Sequence, residues 1–206
     1  MPGDLPAKPV IDIIDDDPAM RDSLAFLLDV RGFATRVHES AVAFLGVVGR
    51  ERPDCIVTDI RMPGLNGLEL VKRLKGDGID SPVIVITGHG DVALAVEAMK
   101  AGVVDFIEKP FSDDILIGAI KSALERSSQG PATDKAQQEA QARLAALSGR
   151  ERDVLVGLVA GKINKVIAHE LNISPRTVEV YRANLMSKME AKSMSDLMRI
   201  ALAAGL

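Results

Sequence analysis

The stretch CIVTDIRMPGLNG, residues 55–67, constrains what this chain can fold into more than any other. Cys55, Ile56, Val57 and Thr58 form a short apolar, β-branched run without helical period, the mark of a buried strand in an α/β sheet. The strand ends at Asp59. Met62-Pro63-Gly64 and Asn66-Gly67 then break regular structure, and Leu68, Leu70, Val71 and Leu74 recur at helical spacing. Open α/β sheets bind ligands at the carboxyl ends of their strands, where this carboxylate falls. An isolated aspartate there is ordinarily a turn cap. The other strand ends argue against that reading.

Val10 to Ile14 is an apolar strand interrupted by Asp12 and followed by Asp15-Asp16-Asp17-Pro18. Asp17 and Pro18 open a helix along Leu24, Ala25, Leu27 and Leu28, which Gly32 stops. Phe33–Val37, Asp54–Thr58, Val83–Ile86 and Val103–Ile107 read as further strands. Ser40–Val48, the segment after Gly67, Asp91–Ala101 and Ser112 to about Arg126 read as helices. Five strands alternating with five helices predict a doubly wound, five-stranded parallel sheet. Its strand ends deliver Asp15 and Asp16, Asp59, Thr87 and Lys109. Crowded carboxylates repel and raise a pKa unless a cation joins them, and a hard divalent ion with oxygen ligands, Mg²⁺ or Mn²⁺, resolves this. A hydroxyl and an ammonium facing that ion can bind the oxygens of an aspartyl phosphate on Asp59.

The charge is divided along the chain. Residues 1–124 hold 13 Lys+Arg against 20 Asp+Glu, net −7, whereas residues 145–206 hold 9 against 6, net +3. Such asymmetry predicts two domains with different partners, the basic one a candidate for nucleic acid. A single cysteine, Cys55, excludes an internal disulfide. No apolar stretch approaches the roughly 18 residues of a membrane span, and the chain reads as a soluble, cytoplasmic protein of a reducing compartment.

The motifs IIDDD, TDIRMPG, ITGHGD and FIEKPF resemble the receiver domain of two-component response regulators, a flavodoxin/CheY-like fold, over about residues 8–124. The resemblance implies phosphotransfer from a sensor histidine kinase to Asp59. It also implies Mg²⁺ held by Asp16, Asp59 and the main-chain carbonyl of Arg61, with Asp15 acting through water. Thr87 and Lys109 would contact the phosphoryl oxygens, Phe106 stands at the aromatic switch position, and the Lys109-Pro110 bond is expected to be cis.

Independently of the family, the fourth helix carries two apolar stripes. Val92, Ala95, Val96 and Met99 form one, and Leu94, Ala98 and Ala101 the other, about a third of a turn away. One stripe can face the sheet. The surplus means either a helix buried on both sides or, with the fifth strand, a protein contact surface; the receiver resemblance implies dimerisation there once phosphorylated, so Val92, Leu94, Val96, Ala98 and Val104 form the expected dimer face. His89, between two glycines, is given no metal or catalytic role.

Residues 127–134, SSQGPATD, break the pattern. With the Ala- and Gln-rich Lys135–Leu147 they form an expected linker, 127–147, of partly helical character between a receiver at 1–126 and a second domain at 148–206. Ser148 and Glu151 have capping-box spacing before a helix along Val154, Leu155, Leu158 and Val159. Asn164 can cap a second helix with Val166, Ile167 and Leu171. Ser174-Pro175 opens a third with Val178, Leu185 and Met189 inward, and a fourth runs from about Ser193 to Ala204. The second and third make a helix-turn-helix within an all-α, four-helix domain. On the third, Glu179, Val180, Ala183, Asn184 and Ser187 form a small, nearly uncharged strip suited to base edges. Lys165, Arg176, Thr177, Arg182 and Lys188 frame it with phosphate-seeking groups.

This segment, LSGRERDVLVGLVAGKINKVIAHELNISPRTVEVYRANLMSKMEAKS, resembles the LuxR/NarL class of DNA-binding domains over about residues 144–206. Joined to a receiver with TGHGD, AVEAMKAG and DFIEKPF, the whole resembles the nitrogen-fixation regulators of rhizobia. That likeness implies an oxygen-sensing haem kinase as partner, with no haem in this chain, and activation of nitrogen-fixation and microaerobic promoters through RNA polymerase. It also implies a monomer that dimerises on phosphorylation. Three readings follow: a DNA-binding response regulator, answering this or another sensor; a metal-dependent phosphatase, which has no use for the basic domain; and a pure interaction module, which would bind neither phosphoryl group nor DNA. The second domain favours the first, and such a chain would not be a turnover enzyme.

Overall fold

Five short runs rich in Ile and Val form one parallel sheet in the computed structural model, which describes residues 8–88, 92–129 and 134–206, with backbone only at 92–95, 128–129 and 134–136. The strands are β1 (Val10–Ile14), β2 (Ala34–His38), β3 (Cys55–Asp59), β4 (Val83–Thr87) and β5 (Asp105–Glu108), in spatial order β2-β1-β3-β4-β5. Every neighbouring pair is parallel. The central strands β3 and β4 are buried along their whole length, as apolar strands covered on both faces must be. By its contacts the chain divides into residues 1–89 with 101–129 and residues 90–100 with 130–206.

In the first unit, α1 (Pro18–Val30) starts where expected, with Asp17 Oδ1 accepting from the Ala19 N–H at 2.9 Å. Ser40 caps α2 (Ala41–Val48), and Asn66 with Glu69 forms a full capping box for α3 (Gly67–Gly76). Leu24 and Leu28 of α1 and Leu116, Ile117 and Ile120 of α5 (Asp113–Gln129) cover one face of the sheet over Ile11, Ile13, Val57, Ile84 and Ile86. Asp12 interrupts β1 without unpairing it. Its buried carboxylate accepts two bonds from Arg36, at 2.9 and 2.6 Å, and lies 2.6 Å from His38 Nε2. Burial pushes its pKa up, but the His38 and Arg36 bonds outweigh burial and hold it below the ordinary value.

The helix α4 (Val92–Lys100) groups by contact with the second unit. The expected cap Asp91 and the loop residue His89 lie outside the described residues. The expected linker 127–147 also needs correction. The helix α5 continues to Gln129, three residues past its expected end, because Ser127, Ser128 and Gln129 lack any helix breaker. After it, α6 (Asp134–Ala145) packs on α10 (Met194–Ala203), burying Ala140 and Leu144, so this part of the linker belongs to the second unit.

The remaining helices of that unit are α7 (Gly149–Val159), α8 (Asn164–Leu171) and α9 (Pro175–Lys188). The Ser148–Glu151 capping box forms as its spacing predicts. Gly157 lets α7 and α8 approach closely, for a Cβ there would stand 2.9 Å from Ile167 Cγ1. Three residues, Asn172–Ser174, join α8 to α9. Asn172 takes the left-handed conformation (φ 53°) that ends α8, and Ser174 caps α9. The eight-residue α8 turns just Ile167 and Ala168 fully inward, leaving Leu171 half-buried and Val166 exposed. One expectation fails here. Asn164 does not cap α8. Ile163 holds the cap position without a side-chain bond.

Candidate functional site

The parallel register brings the carboxyl ends of β1, β3, β4 and β5 into one cleft, with Ile14 beside Thr58, Asp59 beside Ile86 and Thr87 beside Glu108. Asp59, the last residue of β3, is 8 % exposed. Its Oδ1 accepts from Lys109 Nζ at 2.6 Å and its Oδ2 from the Arg61 N–H at 2.7 Å. Lys109 follows β5 and is joined to Pro110 by a cis bond, as expected. Both carboxylate oxygens are therefore oriented, by one cation and one main-chain donor. Gly67 bounds the site from behind: a Cβ there would collide with the Asp59 carbonyl oxygen. Only a glycine lets α3 begin so close to the backbone at the end of β3.

Asp15, just past β1, is 2 % exposed. Its Oδ1 accepts from the Asp17 N–H at 2.8 Å, and its main-chain carbonyl accepts from Arg21 at 2.6 Å. Its Oδ2 is buried without a hydrogen bond, 3.6 Å from Lys109 Nζ. Burial raises the Asp15 pKa, and the charges of Asp59 and Asp16 push the same way against the Asp17 bond and Lys109. Burial alone would lower the Lys109 pKa, but its bond to Asp59 and the charges of both aspartates more than offset that and raise it.

A divalent cation fits these residues. An orphaned buried oxygen on Asp15, beside Asp59 and under the repulsion of Asp16, is what a hard cation relieves. No ready-made cage of three acidic, His or Cys ligands exists among the described residues, because Asp16 is exposed and Lys109 supplies the positive charge between the other two. Thr87 is buried, its Oγ1 donating to the Gly88 carbonyl at a long 3.4 Å, and Phe106 is half-buried. The six expected side chains thus separate into an assembled trio, Asp15, Asp59 and Lys109, two neighbours on the adjoining strands, Thr87 and Phe106, and the exposed Asp16.

On α9, Arg176, Glu179, Val180, Ala183, Asn184 and Ser187 are exposed, and Thr177 is half-buried against the Ser174 hydroxyl at 2.8 Å. Lys165 of α8 is exposed as well. Two of the framing cations are engaged. Lys188 Nζ donates to the buried Glu151 at 2.7 Å, tying α9 to the start of α7. That bond, with the Ser148 amide and hydroxyl, holds Glu151 down to about 2. Arg182 donates to Asn164 Oδ1 at 2.9 Å. Of the expected dimer face, Val96 and Ala98 are buried and Val104 is half-buried, while the side chains of Val92 and Leu94 lie outside those described. Sequence reasoning missed Arg21, Gly67 as more than a breaker, and Arg143, which bonds the Met189 carbonyl at 3.2 Å and Glu190 at 2.8 Å. Only Gly67 left a trace, in the Asn66-Gly67 pair.

Residues 11–121 match the response regulator receiver domain, and residues 145–201 match the bacterial regulatory proteins of the luxR family. The chain belongs to the response regulators. This response regulator is 53 % identical over 194 residues to the transcriptional regulatory protein FixJ of Bradyrhizobium diazoefficiens, covering 94 % of this chain and 95 % of the relative. It is 54 % identical over 205 residues to FixJ of Azorhizobium caulinodans, covering 100 % and 95 %. Crystal structures of full-length FixJ from B. japonicum match it with a TM-score of 0.56 at 54 % identity, over 96 % of this chain and 98 % of that one. A response regulator of this build pairs a sensor histidine kinase with DNA binding, and receiver domains bind Mg²⁺ at an acidic pocket. No helix among the described residues is long and apolar enough to cross a membrane.

Proposed function

We propose that this cytoplasmic response regulator accepts a phosphoryl group on Asp59, dimerises and, with RNA polymerase, activates nitrogen-fixation and microaerobic genes under oxygen control. The observation that carries the chemistry is Asp59 with both oxygens already oriented, by Lys109 and the Arg61 N–H, beside the unpaired Asp15 oxygen. The gene assignment draws support from identity of 53–54 % to two FixJ proteins along nearly the whole chain. Its kinase on this reading is FixL-like, with the oxygen-sensing haem in the kinase and none in this chain.

In the transfer, an Asp59 carboxylate oxygen forms the new P–O bond as the P–N bond to the kinase histidine breaks. Asp15, Asp16, Asp59 and the Arg61 carbonyl would hold the divalent ion, which supplies neutralising charge to the phosphoryl oxygens. Lys109 leaves its bond to Asp59 for a phosphoryl oxygen. The Thr87 hydroxyl, weakly engaged now, turns to another, and Phe106 follows inward from its half-buried position. Exposure of the α4 face with Val92, Leu94, Val96, Ala98 and Val104 then permits dimerisation, which requires Val96 and Ala98 to leave their buried state. The chain consumes one phosphoryl group per switching event and is not a turnover enzyme.

The test is phosphorylation of the purified chain by a small phosphodonor with Mg²⁺, read by intact mass and by binding to duplexes from nitrogen-fixation promoters. The wild type is expected to gain one phosphate and to bind such DNA at least tenfold more tightly, about 1.4 kcal/mol. Asp59→Asn is expected to do neither. DNA binding that responds equally in Asp59→Asn would refute the assignment.

A further inference from the structure

Asn164 sits at the first position of α8 and has the side chain to cap it, yet it does not. Its Oδ1 accepts from the Arg182 guanidinium of α9 at 2.9 Å, across 18 residues of chain. The other helices of the DNA-binding unit whose starts are fully described, α7, α9 and α10, are all capped by a serine side chain: Ser148, Ser174 and Ser193. At α8 the cap position is the apolar Ile163, half of whose surface is exposed. A polar side chain in the first turn that bonds a neighbouring helix instead of its own helix end is placed by tertiary structure, and such a cross-helix bond on the recognition helix is a candidate for function.

Arg182 is half-buried, pairs with no acid among the described residues, and lies on the helix whose exposed residues include Arg176, Glu179, Val180 and Ala183. Asn164 takes one of the five guanidinium donors and neutralises none of its charge. The remaining donors stay available to an anion. Lys165, the next residue of α8, is exposed and cationic on the same turn as Asn164. A free arginine loses rotamer freedom when it docks on a phosphate, and a side chain already held loses less.

We infer that Asn164 is a positioning residue of the DNA interface, which holds Arg182 at the α8–α9 junction as a preset backbone-phosphate contact. It acts through Arg182 and reads no base. Its contribution is therefore to affinity on any duplex, not to the choice between duplexes.

The test uses the full-length chain and two probes: a duplex enriched by the wild type from a random pool, and a random-sequence duplex of equal length. Arg182→Ala is expected to weaken both and to reduce the slope of log K against log salt by about one, the signature of one lost phosphate contact. Asn164→Ala is expected to weaken both about three- to tenfold, the cost of leaving one side chain unheld. In the Arg182→Ala background it should have no further effect. Asn164→Ser separates positioning from folding, since serine is tolerated in the first turn of a helix but is too short to hold Arg182. This variant should unfold at a temperature no lower than the wild type while losing the same DNA affinity. Lys165→Ala, which does not act through Arg182, should weaken binding equally in both backgrounds. Losses at Asn164 that persist in full without Arg182, or a Asn164→Ser variant that binds as the wild type does, would overturn the inference alone. A wild type that enriched no duplex would overturn it together with the DNA-binding reading.

Discussion

At the scale of single residues, stability and chemistry conflict at Asp15 and agree at Glu151. Asp15 is buried with one oxygen unpaired, and its raised pKa means that folding disfavours its charged form. That penalty is present at neutral pH and is relieved as pH falls through the raised value. Asp15→Asn is therefore expected to raise the thermal midpoint in metal-free buffer by about 3 °C. Mg²⁺ is expected to raise the wild-type midpoint further and to leave that of Asp15→Asn unchanged, and calorimetry with and without the ion checks both. Glu151 has the opposite sign. Its pKa is held down to about 2 by Lys188 and Ser148, so its stabilisation is complete above the ordinary glutamate range and is lost as pH falls from there toward 2. Glu151→Gln is expected to cost about 2 kcal/mol at pH 7 and to flatten the acid limb of the midpoint-against-pH curve. At Cys55, burial pushes the thiol up to about 12, and a core residue of this kind stays unreactive.

At the scale of elements, caps and glycines decide where the functional helices lie. The α8–α9 pair is set by Gly157, whose missing side chain admits Ile167, by the left-handed Asn172 and by the Ser174 cap. Gly157→Ala would force a methyl group against Ile167 Cγ1 and Cδ1, at 2.9 and 3.1 Å, and is expected to cost about 1–3 kcal/mol. Urea titration followed by a probe placed in the DNA-binding unit measures this, while phosphorylation at Asp59 should be unchanged. Element existence was legible throughout: every expected strand and helix is present, because each carries a clear period or a flanking breaker. Ends shifted where no strong signal stood, as at α5, which runs through Ser127 to Gln129, and at β5, which starts at Asp105 instead of Val103.

At the scale of the whole molecule, an acidic receiver is joined to a basic DNA-binding unit within one chain, and on the proposed reading phosphorylation of the first changes the second through a state common to both. A switch from monomer to dimer is the change proposed. Light scattering is expected to show the mass doubling on phosphorylation of the wild type and no change in Asp59→Asn. Dimers present two recognition helices to paired half-sites, which multiplies specificity beyond what one helix reads. The receiver motifs lie in four separate segments of chain, around residues 15, 59, 87 and 109, and only the parallel order β2-β1-β3-β4-β5 gathers them.

The sequence by itself determined the element types and the fold class of both units, since periodicity, caps and motif spacing are properties of the chain. The tertiary structure decided which of those residues meet. Asp59 and Lys109, 50 residues apart, are bonded, while Asp16, next to Asp15, is left exposed. Lys188, which looked like a free cation, is tied to Glu151, and Asn164, which looked like a cap, holds Arg182. The physical reason is the same in each case. A polar side chain of intermediate length has several partners within reach, and no local pattern selects among them until packing sets the distances.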